Sequence, residues 1–341
     1  MRDVAALARV SLKTVSRVVN DEAGVKPEVR ARVQEAAVRL DYRPNLTASN
    51  LRRSSGRTRT VGALLQDISN SFSAALLRSL EDVARARGVA LLAASLDEDP
   101  DRERTLVADL VARRVDGLVL MPATDRQDYL AAELRAGLPT VFVDRPPRGV
   151  DADSVLVDNA GGAGIATRHL LDHGHTRIAY LGDATSIRTA ADRLAGYRQA
   201  LEQSGVPVPE DLVVAGLRDS EAAQRAVLAM MALTDPPTAV FSSRNSVSIG
   251  AVRGLREAGR QHQVALVGFD DFPLADVLEP PLTVVRQDVV RIGASVGELL
   301  FRRLDGDTAE PRHIRIEPTL VTRGSGELPV PEAAERLGPG R

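Results

Sequence analysis

In Ser11-Leu12-Lys13-Thr14-Val15-Ser16-Arg17-Val18-Val19-Asn20, apolar and polar positions separate at helical spacing. Val15, Val18 and Val19 fall at i, i+3 and i+4 and would bury one face, while Lys13, Ser16, Arg17 and Asn20 fall on the other. Ser11 suits the start, because its side-chain oxygen can accept one of the N–H groups left free in a first helical turn. Val4-Ala5-Ala6-Leu7-Ala8 reads as a short apolar helix, and only Arg9-Val10 separates the two. Two short helices, a tight turn and an outward polar, basic face on the second make a helix-turn-helix signal. A helical hairpin with a merely solvated charged face is the other reading of this spacing, and the surrounding chain weighs against it.

Charge is spread unevenly. The net charge is −2, yet residues 1–60 carry 13 Lys and Arg against 6 Asp and Glu. The remainder carries 31 against 40, and both lysines, Lys13 and Lys26, lie in the basic part. A basic head on an acidic body points to a polyanion that meets the head and not the body. Hydrophobic content of 44% and charged content of 26% are ordinary for a soluble globular protein, and 341 residues suggest two or three domains. No apolar run reaches the ~18 residues of a membrane span, and the amino terminus has no apolar signal core. With no cysteine, disulfides and thiolate metal sites are excluded, which fits a cytoplasmic protein.

The opening segment resembles that of LacI/GalR-family repressors, whose V-S-x-x-T-V-S-R-V-L-N motif appears here as Val10-Ser11-Leu12-Lys13-Thr14-Val15-Ser16-Arg17-Val18-Val19-Asn20. The resemblance extends over residues 1–325. Pro27 is well placed at the first turn of a third helix, and Val29, Val33, Ala36, Ala37 and Leu40 share a face that would close the small core. Asp41-Tyr42-Arg43-Pro44-Asn45 matches the family's G-Y-x-P-N, with Asp41 in place of Gly. Asn45 to Asn50 resembles the family's hinge helix, which is too short to be stable alone in water. Leu51 matches the family leucine that wedges into a minor-groove base step. An ordinary linker is the plainer reading, since residues 52–59 are polar and basic. Three positions depart from the pattern. Arg9 replaces the turn glycine, which predicts a non-Gly residue at φ > 0 at a cost of about 1 kcal/mol. Lys26 replaces the Ser that would cap the third helix, and Met1-Arg2-Asp3 lacks the residues that cap the first, which points to a mis-assigned start codon.

From Thr60 onward short apolar runs alternate with amphipathic helices. The first series runs from Val61–Leu65 to Thr140–Val143, with a helix expected over Gln127–Ala136. The second runs from Val155–Val157 to Ala265–Gly268, with helices expected over Gly164–Asp172 and Leu194–Gln203. Strands alternating with helices predict parallel sheets wound on both sides, and two series predict two lobes facing a cleft. Thr283–Gln287 and the helix Val289–Leu304 resemble the family segment that crosses back to the first lobe. The expected class is therefore α/β: an all-α helix-turn-helix head plus a two-lobed, periplasmic-binding-protein-like core of doubly wound parallel sheets. The expected divisions are a DNA-binding domain at 1–44, hinge helix and linker at 45–59, an effector-binding and dimerisation core at 60–326, and a disordered tail at 327–341. That tail lacks the leucine heptads of a tetramerising helix.

Ligands of such sheets sit beyond the carboxyl ends of the strands, where this chain carries its notable polar residues. Asp67-Ile68-Ser69-Asn70-Ser71-Phe72-Ser73 matches the family's D-I-S-N-P-F-F, with Ser71 replacing Pro and Ser73 replacing an aromatic residue. Asp144-Arg145 matches the family's D-R, an acceptor beside a fixed donor fork. The resemblance makes Arg193 and Asp270 effector-binding, and an Asp, an Arg and an Asp aimed at one cleft can hold a polyol by charge-assisted bonds. Arg244-Asn245 stands where the family usually has Asn-Asp, and Arg218 lies near a position often aromatic in relatives. With Arg193 these arginines suggest an anionic effector such as a sugar acid or sugar phosphate; pairing of Arg244 with a neighbouring acid would instead leave a neutral sugar. The effector set is thus Asn70, Phe72, Asp144, Arg145, Arg193, Arg244 and Asp270, and the DNA-facing set Ser11, Leu12, Lys13, Thr14, Ser16, Arg17, Asn20, Asn45 and Leu51.

Gly161-Gly162-Ala163-Gly164 falls short of a dinucleotide fingerprint at Thr167, so close helix–strand packing is the better account. His169, His173 and His175 lack an evident acid or cysteine partner for a metal. No G-x-S-x-G occurs, and an enzyme is not expected. What the resemblance implies is a homodimeric repressor in the cytoplasm, without cofactor. It would bind a pseudo-palindrome of double-stranded operator DNA and respond to a sugar or anionic sugar derivative. A transporter's solute-binding protein is the rival from another class; it predicts a signal peptide and no basic head.

Overall fold

A computed structural model describes residues 1–19, 22–42 and 57–331. Their contacts separate two units, residues 1–60 with 114–116 and the remainder.

The first unit holds α1 (Arg2–Ala8), α2 (Leu12–Val19) and α3 (Pro27–Arg39). Val4, Ala5 and Ala8 of α1 meet Val15 and Val18 of α2 and Val33 and Ala36 of α3 in one small core. Ser11 caps α2 as expected, its Oγ accepting the Thr14 N–H at 3.1 Å. Arg9 ends α1 at φ 52°, ψ 50°, the left-handed conformation in which a Cβ crowds the backbone. Lys26 precedes α3 without a side-chain cap, and Pro27 occupies its first turn. Leu40 corrects one expectation: α3 stops at Arg39, and Leu40 turns outward with 43% exposure instead of closing the core. The carboxylate of Asp116 accepts the N–H groups of Thr58 and Arg59 at 2.7 and 2.6 Å, fixing the backbone just before the first strand. Of the expected hinge and linker, residues 45–56 lie outside the described residues.

The second unit contains two sheets of the same design. Lobe 1 is built from β1 (Thr60–Leu65), α4 (Ser71–Ala86), β2 (Ala90–Ser95), α5 (Pro100–Ala112), β3 (Gly117–Leu120), α6 (Ala131–Arg135), β4 (Thr140–Val143) and β5 (Asp153–Val157). Lobe 2 follows with α7 (Asn159–Asp172), β6 (Ile178–Leu181), α8 (Arg188–Gln203), β7 (Val213–Val214), α9 (Ser220–Met231), β8 (Ala239–Ser242), α10 (Asn245–Glu257), β9 (Ala265–Phe269) and β10 (Thr283–Arg286). The chain then returns to lobe 1 with α11 (Val289–Leu304) and β11 (His313–Ile316), and ends in lobe 2 with β12 (Thr319–Val321). The orders are β2-β1-β3-β4-β5-β11 and β7-β6-β8-β9-β10-β12. All pairings with a defined register are parallel except β10 with β12.

Both orders reverse direction between the first and third strand, which places a crevice at the carboxyl ends of those strands. The central strands are apolar along their length because helices cover both faces, while the edge strands β2, β7, β11 and β12 are partly exposed. Leu65, Val119, Val141 and Val155 pack with Leu76 and Leu80 of α4 and Ile292, Val296 and Leu300 of α11. In lobe 2 one face packs Val240, Leu266 and Val284 with Val227 of α9 and Val247 of α10. The other stacks Tyr180 on Tyr197 and Phe241, with ring centroids 5.3 and 5.8 Å apart. Gly162 belongs to this packing: a Cβ there would stand 2.8 Å from Phe269 Cε2 and 2.7 Å from Pro318 Cγ.

Three expectations shift. Gln127–Ala136 is not one helix but a 3-10 turn at Asp128–Leu130 followed by the five-residue α6. Two strands, β11 and β12, were not expected at all. The tail does not become irregular at 327. Thr283 Oγ1 donates to Glu327 Oε2 at 2.7 Å, His169 Nε2 lies 2.7 Å from its other oxygen, and His175 Nε2 reaches the Leu328 carbonyl at 2.9 Å. Residues 332–341 lie outside the described residues.

Candidate functional site

Two surfaces hold the expected functional residues, one in each unit. On the head, burial of Val15 and Val18 turns the opposite face of α2 outward. Leu12, at 46% exposure, and Lys13 are exposed at its amino end, so Leu12 does not pack inward; Thr14 and Ser16 are half-buried beside them. Ser11 and Thr14 are tied to one another, Oγ to Oγ1 at 2.9 Å. Arg17 is less free than its sequence position suggested. Its guanidinium folds back onto the loop before α3, donating to the Ala23 carbonyl at 2.6 Å with Glu22 at 3.5 Å. Asn20, Asn45 and Leu51 fall outside the described residues.

In the second unit all seven expected effector residues line one inner chamber at the strand ends. Asn70 and Phe72 come from the start of α4, Asp144 and Arg145 from the end of β4. Arg193 comes from α8, Arg244 from the turn after β8, and Asp270 from the end of β9. Arg193 is the hub. It donates to Asn159 Oδ1 at 2.7 Å and the Ser243 carbonyl at 2.6 Å, stands 3.5 Å from Asp270 Oδ2, and lies over the Phe269 ring at 3.8 Å. Asp144 and Asp270 occupy corresponding places in the two lobes and share a left-handed backbone, at φ 67° and 71°. Backbone strain at such positions persists when the surroundings enforce it, and it collects at ligand sites.

Arg244 settles its own alternative by pairing with Asp183, so it is not a free cation. Arg145 likewise grips Glu98, with Nη2 2.5 Å from Oε1 and Nη1 2.7 Å from Oε2. Glu98, Asp183, Asn245, Gln66 and Gln287 line the chamber too, and none was among the expected effector residues. Asp183 follows a strand end just as Asp144 does, which is the signal that marks it. Glu98 sits in an acidic turn after β2 with positive φ at Asp97 and Glu98, and reads in sequence as solvated surface. The lobes are joined directly at the chamber wall: Asn70 Nδ2 donates to Asn245 Oδ1 at 2.8 Å, and Asn245 Nδ2 returns bonds to Asn70 Oδ1 at 3.0 Å and Ser71 Oγ at 2.8 Å. Here Ser71 and Asn245, two of the departures from the family motifs, meet.

Two buried polar atoms in this chamber have no partner, Arg145 Nε and Gln287 Oε1. One is a donor and the other an acceptor, and a hydroxyl group satisfies both kinds; buried groups left unmet cost about 1–3 kcal/mol each. The Asp144 carboxylate accepts no hydrogen bond from any described residue, and Arg145 Nε stands 3.9 Å away. Burial pushes its pKa above the ordinary carboxylate value, opposed by Arg145 and Arg193 and reinforced by Asp270 and Glu98. A raised folded pKa means that Asp144 favours the folded state most below its unfolded pKa of ~3.9, and that this contribution is lost as pH rises through the folded value. Asn cannot ionise and tolerates the left-handed backbone. Asp144→Asn should therefore raise the melting temperature by roughly 2–4 °C at pH 7.5. The gain should shrink as pH falls through the folded value toward the ordinary carboxylate range, and effector affinity should drop about tenfold. An unchanged or lower melting temperature would contradict this account of the residue.

The three nearby histidines are structural. His169 meets Glu327, His173 Nδ1 bonds the His169 carbonyl at 2.8 Å, and His175 Nδ1 bonds Thr238 Oγ1 at 3.0 Å. Among the described residues no helix is long and apolar enough to cross a membrane.

Comparison with known proteins places this geometry. The model of bacterial regulatory proteins of the lacI family matches residues 1–45, and that of a periplasmic binding protein-like domain matches residues 167–326. The ribose operon repressor of Escherichia coli (strain K12) is 31% identical over 95% of this chain and 99% of its own length. The transcriptional regulator CelR, in complex with cellobiose, is 32% identical over 95% of this chain and 98% of that one, with a TM-score of 0.70. The lac repressor dimer bound to operator and the anti-inducer ONPF is 26% identical over 95% of this chain and 98% of that one, with a TM-score of 0.84.

Proposed function

Because the chain belongs to the LacI family of bacterial regulatory proteins, we propose that it is a homodimeric repressor whose operator affinity is set by a sugar. The supporting observation is the head: a capped helix with Val15 and Val18 buried and Leu12 and Lys13 turned outward. A ribose operon repressor, a cellobiose complex and an operator-bound lac repressor among its relatives support the same reading.

In this reading residues 1–44 bind DNA, 45–59 form the hinge, and 60–326 bind effector and dimerise. Lys13 donates to guanine in the major groove and Leu12 touches a thymine methyl. Arg17 moves from the loop to base or phosphate, while Ser11, Thr14, Ser16 and Asn20 position the helix. Asn45 belongs to the hinge helix and Leu51 enters the minor groove. In the cleft, Asp144, Arg145, Arg193 and Asp270 take the sugar hydroxyls, Phe72 packs a ring face, and Asn70 and Arg244 complete the wall. Sugar binding changes how the lobes close and so biases the hinge, a coupling of about 1–3 kcal/mol in operator affinity. The protein acts in the cytoplasm and binds its ligand without transforming it.

A gel shift on DNA flanking its own gene, with and without sugars, tests the reading. The expected result is a complex that survives excess unrelated DNA, on a pseudo-palindrome with half-sites about one helical turn apart. Equal affinity for unrelated DNA would overturn it and favour a sugar-binding protein without regulatory activity.

A further inference from the structure

The cleft has two chambers. The inner one described above has a volume of about 90 Å³, and a second one of about 550 Å³, called the outer one, adjoins it. Six side chains line both and form the neck: Asp67, Glu98 and Arg145 from lobe 1, and Asp183, Ile187 and Arg244 from lobe 2. Small-molecule sites usually measure about 300–1,000 Å³, so the inner chamber alone falls short and the outer one lies inside the range.

Charge decides what the chambers accept. The inner lining carries five carboxylates against three guanidiniums, and each guanidinium already faces an acid: Arg145 with Glu98, Arg193 with Asp270, Arg244 with Asp183. The outer lining carries five carboxylates and five guanidiniums. Neither lining offers the surplus of cations that a carboxylate or phosphate group needs once water is displaced. Hydroxyl groups, which donate and accept, can pair with both signs. The outer chamber also has an apolar ledge of Pro100, Pro122 and Pro146, suited to the C–H face of a ring, and it has no aromatic side chain.

We infer that the outer chamber is a second sugar subsite and that the effector is a neutral saccharide of at least two linked units, one ring inside the neck and the next beyond it. This rests on the regulator reading above. It takes the neutral one of the two alternatives that the sequence left open, because two of the three arginines behind the anionic idea, Arg193 and Arg244, already pair with acids.

The test is calorimetric titration of the full-length protein with ribose, glucose, galactose, cellobiose, maltose, lactose and glucose 6-phosphate. The tightest ligand is expected to be a disaccharide, at least tenfold tighter than its component monosaccharides. Ala184 lines only the outer chamber, so Ala184→Trp should fill it. That variant should weaken the disaccharide at least tenfold and leave monosaccharide affinity within twofold. Arg218→Ala, at an exposed outer position, should weaken the disaccharide severalfold should the Trp variant fold poorly by circular dichroism. A monosaccharide or the phosphate as tightest ligand, no disaccharide binding, or a disaccharide affinity indifferent to both variants would each overturn the second subsite. In each of those cases a sequence-specific gel shift would leave the repressor reading standing, whereas loss of operator preference would remove that reading itself.

Discussion

Arg193→Ala is expected to lower the stability of the two-lobed unit by about 3–5 kcal/mol and to abolish the effector response. Removing the guanidinium strands the Asp270 carboxylate, 7% exposed and held otherwise by Gln287 Nε2 at 2.5 Å. It also unpairs Asn159 Oδ1 and the Ser243 carbonyl and uncovers the face of Phe269. An uncompensated buried charge costs more than the lost hydrogen bonds, so Asp270→Asn in the same chain should recover part of the stability without recovering binding. Arg193→Lys keeps the charge but loses the planar fork and the stacked ring, and should fall between. Denaturant unfolding with sugar titration measures both effects; a loss below 1 kcal/mol for Arg193→Ala would show that the hub is not energetically central.

The second large effect is expected at the head. Lys13→Ala with Arg17→Ala should weaken specific operator binding at least a hundredfold, since each good base contact is worth about 1–3 kcal/mol, and should flatten the salt dependence by about two units of slope. The single variants separate two roles. Lys13 is exposed, so its loss should leave the melting of the head unchanged. Arg17 holds the loop at Ala23 and Glu22, so its loss should lower melting as well as affinity. Unchanged affinity in the double variant would take this face of α2 out of DNA recognition.

Most of the fold was legible because the central strands of both sheets are apolar runs buried on both sides and each long helix has one apolar face. What escaped detection was short or locally ambiguous. His313–Ile316 and Thr319–Val321 are four- and three-residue strands whose place is set by partners far away in sequence, Ser154–Val157 and Val284–Arg286. Helix α7 begins at Asn159 rather than Gly164: Asp158 caps it through the Gly161 N–H, and Gly162, which looks like a break, lets the helix approach Phe269. Leu40 has the right spacing for burial, but the helix stops one residue before it. At the site, strand-end motifs identified both members of the Arg193–Asp270 pair but only the arginines of the other two, Arg145 and Arg244, and missed Glu98 and Asp183. Pairing is a matter of which loops meet, and no periodicity records that. The same blindness lent weight to the anionic alternative, since arginines count as positive charge until their acids are located, as Asp270 and Asp183 are for Arg193 and Arg244.

The chain crosses between the lobes after β5, after β10 and between β11 and β12, and this bears on how the protein is made. Neither lobe is a continuous stretch. The core of lobe 1 needs Ile292, Val296, Leu299 and Leu300 of α11, which leave the ribosome after all five helix-linked strands of lobe 2. A nascent chain halted near residue 280 would therefore hold two unfinished sheets, each with apolar surface open to water. Completion of both lobes thus waits for the last sixty or so residues.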